Sequence, residues 1–138
     1  MSPIAGAPRS VPDEGGYEAD SAPWPVELRL IRETQRLEIE FSDGASHSLP
    51  AEYLRVESPS AEVQGHSPSQ KKTVSGRRKV RIVELEPVGN YAIRIVFDDG
   101  HDTGIYSWAY LRELGDSQDT KWAAYLAALA ERGLRRDG

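Results

Sequence analysis

Two stretches of this chain echo each other. Ile39-Glu40-Phe41-Ser42-Asp43-Gly44 leads to Tyr53-Leu54-Arg55, and Ile95-Val96-Phe97-Asp98-Asp99-Gly100 leads to Tyr110-Leu111-Arg112, the copies differing by one inserted residue. Around the first turn the pattern alternates with period two. Leu28 and Leu30, then Leu37, Ile39 and Phe41, lie on one side, while Glu38 and Glu40 face the other way, as in half-buried antiparallel strands. Asp43-Gly44 and Asp99-Gly100 each interrupt such a run, and an Asp-Gly pair takes the positive φ angles of a tight hairpin. Val88, Gly89 and Asn90 form a third turn between residues 80–86 and 91–97. Each half is therefore read as strand, strand, Asp-Gly turn, strand and short helix. The helix is expected to start at Pro50 in the first half, since a first helical turn does not need the missing N–H. In the second it starts after Ser107, a favoured N-cap residue.

Neither half can bury its apolar face alone. The expected fold is α+β: two pseudo-repeated antiparallel three-stranded meanders, each followed by a short helix and packed together, with Tyr53, Leu54, Trp108, Tyr110 and Leu111 closing the core. From Gln118 to Arg132 the spacing of Trp122, Tyr125, Leu126 and Leu129 predicts an amphipathic C-terminal helix, ended by Gly133. The 138 residues suit one domain over residues 24–134. Residues 1–23 carry four prolines and little periodic apolar surface, and are expected to be a disordered tail. Residues 65–79 read as a mobile basic loop, and 135–138 as a short C-terminal tail.

The chain has no cysteine, which excludes thiol nucleophiles, disulfides and thiolate metal sites built from its own residues. No apolar run is long enough for a membrane span, no secretory leader is evident, and the cytoplasm is the expected compartment. A net charge of −5 argues against nonspecific nucleic-acid binding. Lys71, Lys72, Arg77, Arg78 and Lys79 form the one strongly basic run, and without interleaved aromatics it reads as a solvated loop. His47, His66 and His101 fall in no metal or catalytic spacing. The acidic cluster Asp98-Asp99-Gly100-His101-Asp102 lacks the alternation of a calcium loop and reads as a solvated turn. Ser58 and Ser60 have no base beside them in sequence order that would activate a hydroxyl.

From about Trp24 to Leu114 the chain resembles the gamma-butyrobetaine hydroxylase-like N-terminal domain family, long catalogued as a domain of unknown function. The residues that carry the likeness are Tyr53 through His66, Pro87-Val88-Gly89-Asn90-Tyr91 and Phe97 through Trp108. In the hydroxylase this domain precedes the oxygenase domain and holds zinc through three cysteines and a histidine. The resemblance places those ligands on Ser58, Ser60, Val63 and His101. Hydroxyls replace thiolates poorly and valine cannot ligate, so the zinc site as the family builds it is expected to be absent. A weak site of His101 with Glu57, Glu62, His66 or Asp102 is the alternative. No oxygenase domain accompanies the fold, so hydroxylase activity is not expected.

The family's fusions to P-loop iron–sulfur carrier proteins imply a supporting role. The expected function is accordingly a noncatalytic accessory or protein-interaction domain, with no cofactor and an unidentified protein partner, of which an iron–sulfur carrier is one candidate. The alternative is a metal-binding accessory factor, for zinc or iron, in iron or iron–sulfur metabolism. A third reading is a ligand or interaction surface between the meanders, formed by Arg55, His101, Asp102, Tyr106 and Trp108.

Overall fold

The computed structural model describes residues 23–65 and 71–137. The first half runs β1 (Pro25–Ile31), β2 (Arg36–Phe41), β3 (Ser46–Pro50) and helix α1 (Ala51–Val56), followed by a single helical turn, α2 (Ala61–Gln64). The second runs β4 (Ile82–Val88), β5 (Ala92–Phe97), β6 (Ile105–Ser107) and α3 (Trp108–Asp116), and α4 (Gln118–Glu131) follows. The strands form two separate antiparallel sheets, β1-β2-β3 and β4-β5-β6. The expected α+β pair of meanders is what the chain folds into. Residues 1–22 of the expected tail and 66–70 of the expected loop, His66 among them, lie outside the described residues.

The echo in sequence is a pseudo-twofold in structure. β1 pairs with β2 through a bulge between Pro25 and Glu27, and β4 with β5 through a bulge between Ile82 and Glu84. These bulges turn equivalent valines, Val26 and Val83, out to solvent. Gly44 and Gly100 both adopt positive φ at the hairpin tips, 92° and 90°.

The contacts that lock the halves together are reciprocal. Tyr53 Oη donates to the Leu114 carbonyl at 2.7 Å, and Tyr110 Oη donates to the Glu57 carbonyl at 2.5 Å, each tyrosine reaching the carbonyl four residues beyond the other. Arg55 on α1 binds Asp99 of the second turn at 2.8 Å, and Arg112 on α3 binds Asp43 of the first at 2.7 Å. The repeated Asp-Gly and Tyr-Leu-Arg motifs are thus the two ends of one crossed pair of clasps. The apolar core between them draws on both sheets, with Leu37, Ile39, Phe41 and Leu49 facing Ile82, Ile93, Ile95 and Phe97. Tyr53, Leu54 and Leu111 are buried within it, and Trp108 and Tyr110 pack on its edge.

Three details depart from the sequence reading. Pro50 is not a helical residue. Its ψ of 149° keeps it extended, pairing with Arg36 at the end of β3, and the helix begins at Ala51. The second N-cap is as expected, for Ser107 Oγ accepts from the Tyr110 N–H at 3.1 Å.

The basic segment 71–79 contains no helix or strand, yet its charges are largely used. Lys71 binds Glu57 at 2.8 Å, Arg77 binds Asp99 at 2.7 Å and Arg78 binds Asp137 at 2.6 Å. The absence of interleaved aromatics points in sequence to a solvated loop, whereas three of its five cations are paired with acids from other parts of the chain.

Residues 135–137, expected as a tail, turn back on the fold. The Arg135 and Arg136 carbonyls accept from Gly76 and Arg78, and the Arg136 guanidinium grips the buried Glu52 carboxylate through two nitrogens at 2.6 and 2.8 Å. Gly133 ends α4 with φ of 68°, as its position implied. Among the described residues no helix is long and apolar enough to cross a membrane.

Candidate functional site

Of the two histidines among the described residues, the buried one, His101, sits where the halves meet. His101 follows the Asp99-Gly100 turn, whose carboxylate accepts from the His101 backbone N–H at 3.0 Å and so holds the backbone as it leaves the turn. Across from it, the segment after α1 brings Ser58 and Ser60 against the ring. Ser58 Oγ lies 2.8 Å and Ser60 Oγ 3.4 Å from His101 Nε2, and Glu62 Oε1 lies 3.1 Å from Nδ1. A carboxylate only accepts, so Nδ1 carries the proton toward Glu62, and Nε2 of the neutral ring accepts from the Ser58 hydroxyl. Burial, with help from the Arg55 charge, pushes the imidazole below its ordinary value against the opposing pull of Glu62 and Asp99. The shift favours the neutral form of the ring.

Ser58, His101 and Glu62 stand in the order of a nucleophilic relay, which sequence could not reveal because Ser58 and His101 are 43 residues apart. The relay is closed at its reactive end. Ser58 has no exposed surface. A Cβ placed on Gly104 would lie 2.6 Å from Ser58 Oγ and 3.0 Å from the Tyr106 ring, so backbone already fills the space a substrate would need. Gly104→Ala should accordingly force the Ser58 hydroxyl off His101 and cost about 1–3 kcal/mol in urea denaturation. Much of that cost should vanish when Ser58→Ala is already present, because the two changes break the same contact.

All four positions that the resemblance equates with zinc ligands are buried, Ser58, Ser60 and Val63 around the short turn α2 and His101 on the facing hairpin. The donors present do not fit zinc. Two neutral hydroxyls and one imidazole face inward, Val63 offers no donor, and the nearest carboxylate, Glu62, occupies the other ring nitrogen. Among the described residues no three His, Cys, Asp or Glu side chains are placed to hold a metal ion.

The residues expected to form a ligand or interaction surface do not act as one group. Arg55 is 7% exposed and committed to Asp99. Tyr106 is fully buried, its hydroxyl donating to the Leu54 carbonyl at 2.5 Å, so it offers no contact surface. Asp102 stays near the surface beside Arg94, and Trp108 donates from its indole to the Asn90 carbonyl at the far end of β6. Burial of the central members follows from the pseudo-twofold, which drives this part of each half into the common core.

Comparison with known proteins agrees with this geometry. No protein in a search of curated sequences matches the chain. Among solved structures, a protein determined by NMR is 45% identical, with a TM-score of 0.72 over 83% of this chain and 90% of its own. A second NMR structure is 43% identical, with a TM-score of 0.74 over 88% and 91%. A crystal structure of a protein of unknown function in the DUF971 family, from Acidithiobacillus ferrooxidans, is 40% identical, with a TM-score of 0.55 over 66% of this chain and 91% of its own. The family model described as gamma-butyrobetaine hydroxylase-like, N-terminal, matches residues 28–112, which span both sheets, both crossed clasps and the serine–histidine cluster, and the chain belongs to that family.

Proposed function

We propose that this domain is a noncatalytic accessory module that works by binding another protein, in the cytoplasm and without a cofactor of its own. The observation that carries the reading is the outer face of α4. Residues 122–130, Trp-Ala-Ala-Tyr-Leu-Ala-Ala-Leu-Ala, contain no charged or amide side chain. Tyr125 and Leu129 turn inward and are buried, while Ala123, Ala124, Ala127 and Ala130 are exposed, and Leu126, read from spacing as part of the inner stripe, is 39% exposed. Alanine alone would follow from helix propensity. The signal is the missing lysine, glutamate and glutamine, because a solvated helix keeps a polar outer face and one that is apolar all round is normally covered. The buried polar groups support the same reading: His101, Ser58, Glu52 and Glu57 are each engaged within the fold, and Arg55 is tied to Asp99 through Nε although its Nη1 has no partner among the described residues.

Crosslinked capture from the native host tests this. Ala127→Glu keeps a good helix former on an exposed position, so the fold should survive while capture of a defined partner is lost. Iron–sulfur carriers are the first candidates to look for. Turnover of a small substrate by the purified chain alone, or capture unchanged in Ala127→Glu, would overturn the proposal.

A further inference from the structure

The outer face of α4 does not end at its alanines. Along one side of the helix, Ala124 and Ala128 form the floor of a groove of about 330 Å³, closed on its opposite wall by the segment 71–73. Its charged rim is almost entirely positive: Lys71, Lys72, Lys121 and Arg132, against the single carboxylate of Glu57. Lys71 is spent on Glu57 at 2.8 Å, and Lys121 lies 3.5 Å from Glu113. Lys72 and Arg132 have no carboxylate partner among the described residues. On a chain of net charge −5, a cationic groove running beside an uncharged helical face is a local reversal of sign.

We propose that this groove receives an acidic segment of the partner, an amphipathic helix whose apolar side lies on the alanine face of α4 and whose carboxylates meet Lys72 and Arg132. The inference rests on the interaction reading above and adds the chemistry of the partner. Charge complementarity selects the occupant. A second copy docked through the same face would set these cations against their own counterparts. The chain's own residues 13–20 are acidic, with Asp13, Glu14, Glu18 and Asp20, but offer Tyr17 as their one large apolar side chain, too little to cover the alanine face. Small floor residues suit the close approach of another helix, and the rim charges set its register and its sign.

Two synthetic helical peptides test it, with one leucine–alanine face in common and glutamate flanks in one, lysine flanks in the other. Each is titrated into the full ¹⁵N-labelled chain. The glutamate peptide should move the amides of Lys72, Thr73, Ala124 and Ala128. Its affinity for the native chain should fall with added salt, and it should fall roughly tenfold in a Lys72→Glu, Arg132→Glu double variant, on which salt should no longer weaken binding. The lysine peptide should leave those amides unmoved.

If both peptides bind alike and Ala127→Glu weakens both, the interaction reading survives and the acidic partner does not. If neither moves any α4 amide, the acidic helix is overturned, and the interaction reading stands or falls on the Ala127→Glu capture. Amides of residues 13–20 that shift in the unliganded double variant would assign the groove to the chain's own acidic segment and overturn the proposal. A dimer that the double variant dissociates would assign it to a second copy, with the same consequence.

Discussion

Asp99→Asn should destabilise the fold by about 2–4 kcal/mol in chemical denaturation, and Asp43→Asn, its pseudo-symmetric counterpart, by far less. The two aspartates sit at equivalent turns and bind equivalent arginines, so the pair is its own control. What differs is burial. The Arg55 and Asp99 side chains are 9% and 19% exposed, whereas Arg112 and Asp43 are 23% and 42% exposed. Asp99 also carries a second guanidinium, Arg77, at 2.7 Å, and it orders the His101 backbone. Removing its charge leaves two cations facing a neutral amide, one of them out of water. Breaking one partner of a fully buried pair costs about 3–5 kcal/mol, and the residual exposure of Asp99 scales that down. At the Asp43 clasp solvent screens the same pairing, as at most surface ion pairs.

The acid dependence follows with its sign. Burial works to raise the Asp99 carboxyl, but the His101 N–H and the Arg55 and Arg77 charges outweigh it, and the group sits below its ordinary value of 3.8. A depressed carboxyl stabilises the native state above its unfolded pKa, and that contribution is lost as pH falls through the folded one. The gap between the native chain and Asp99→Asn should therefore be constant near neutrality and close below about pH 4. A gap that persisted to low pH would mean that Asp99 acts through shape alone.

The echo, the strands, the Asp-Gly turns and the Ser107 cap were legible because each is written in neighbouring residues: alternation, turn chemistry and a hydroxyl before a helix. The crossed clasps were only half legible. Asp99 and Arg55 both belong to the repeated motif, but that each arginine reaches the other half's turn depends on how the halves pack, which periodicity does not encode. The same limit hid the Ser58–His101–Glu62 alignment, assembled from two segments on opposite sides of the pseudo-twofold. The outer face of α4 was misjudged for a different reason. Leu126 completes a helical stripe by spacing, and only the position of the core shows that the stripe rotates past it into solvent.

Restoring sulfur at three positions should convert the serine–histidine cluster into a zinc centre. In a Ser58→Cys, Ser60→Cys, Val63→Cys variant, His101 Nε2 already points at two of the new thiols, since the hydroxyls they replace lie 2.8 and 3.4 Å from it. The third thiol comes from the one-turn helix that Val63 buries beside them. Three thiolates and one imidazole satisfy the tetrahedral, sulfur-rich preference of zinc, whereas the native set of two hydroxyls, a valine and an imidazole does not. Glu62, on the other ring nitrogen, would orient the imidazole as outer-shell carboxylates do in metal sites. The variant should bind one zinc ion per chain. At metal a thousandfold above its dissociation constant it should gain about 4 kcal/mol over its own metal-free form, a gain that chelator removes. The native chain should show no change in melting temperature with zinc or with chelator. Without metal the variant should be less stable than the native chain, because the thiols give up the hydrogen bond that Ser58 makes to His101 and crowd a site already in contact with the Gly104 backbone. Stoichiometric zinc on the native chain would show that hydroxyls and one imidazole suffice here. A folded variant that took none would show that hydrogen bonding has closed the cluster too tightly for a metal to enter.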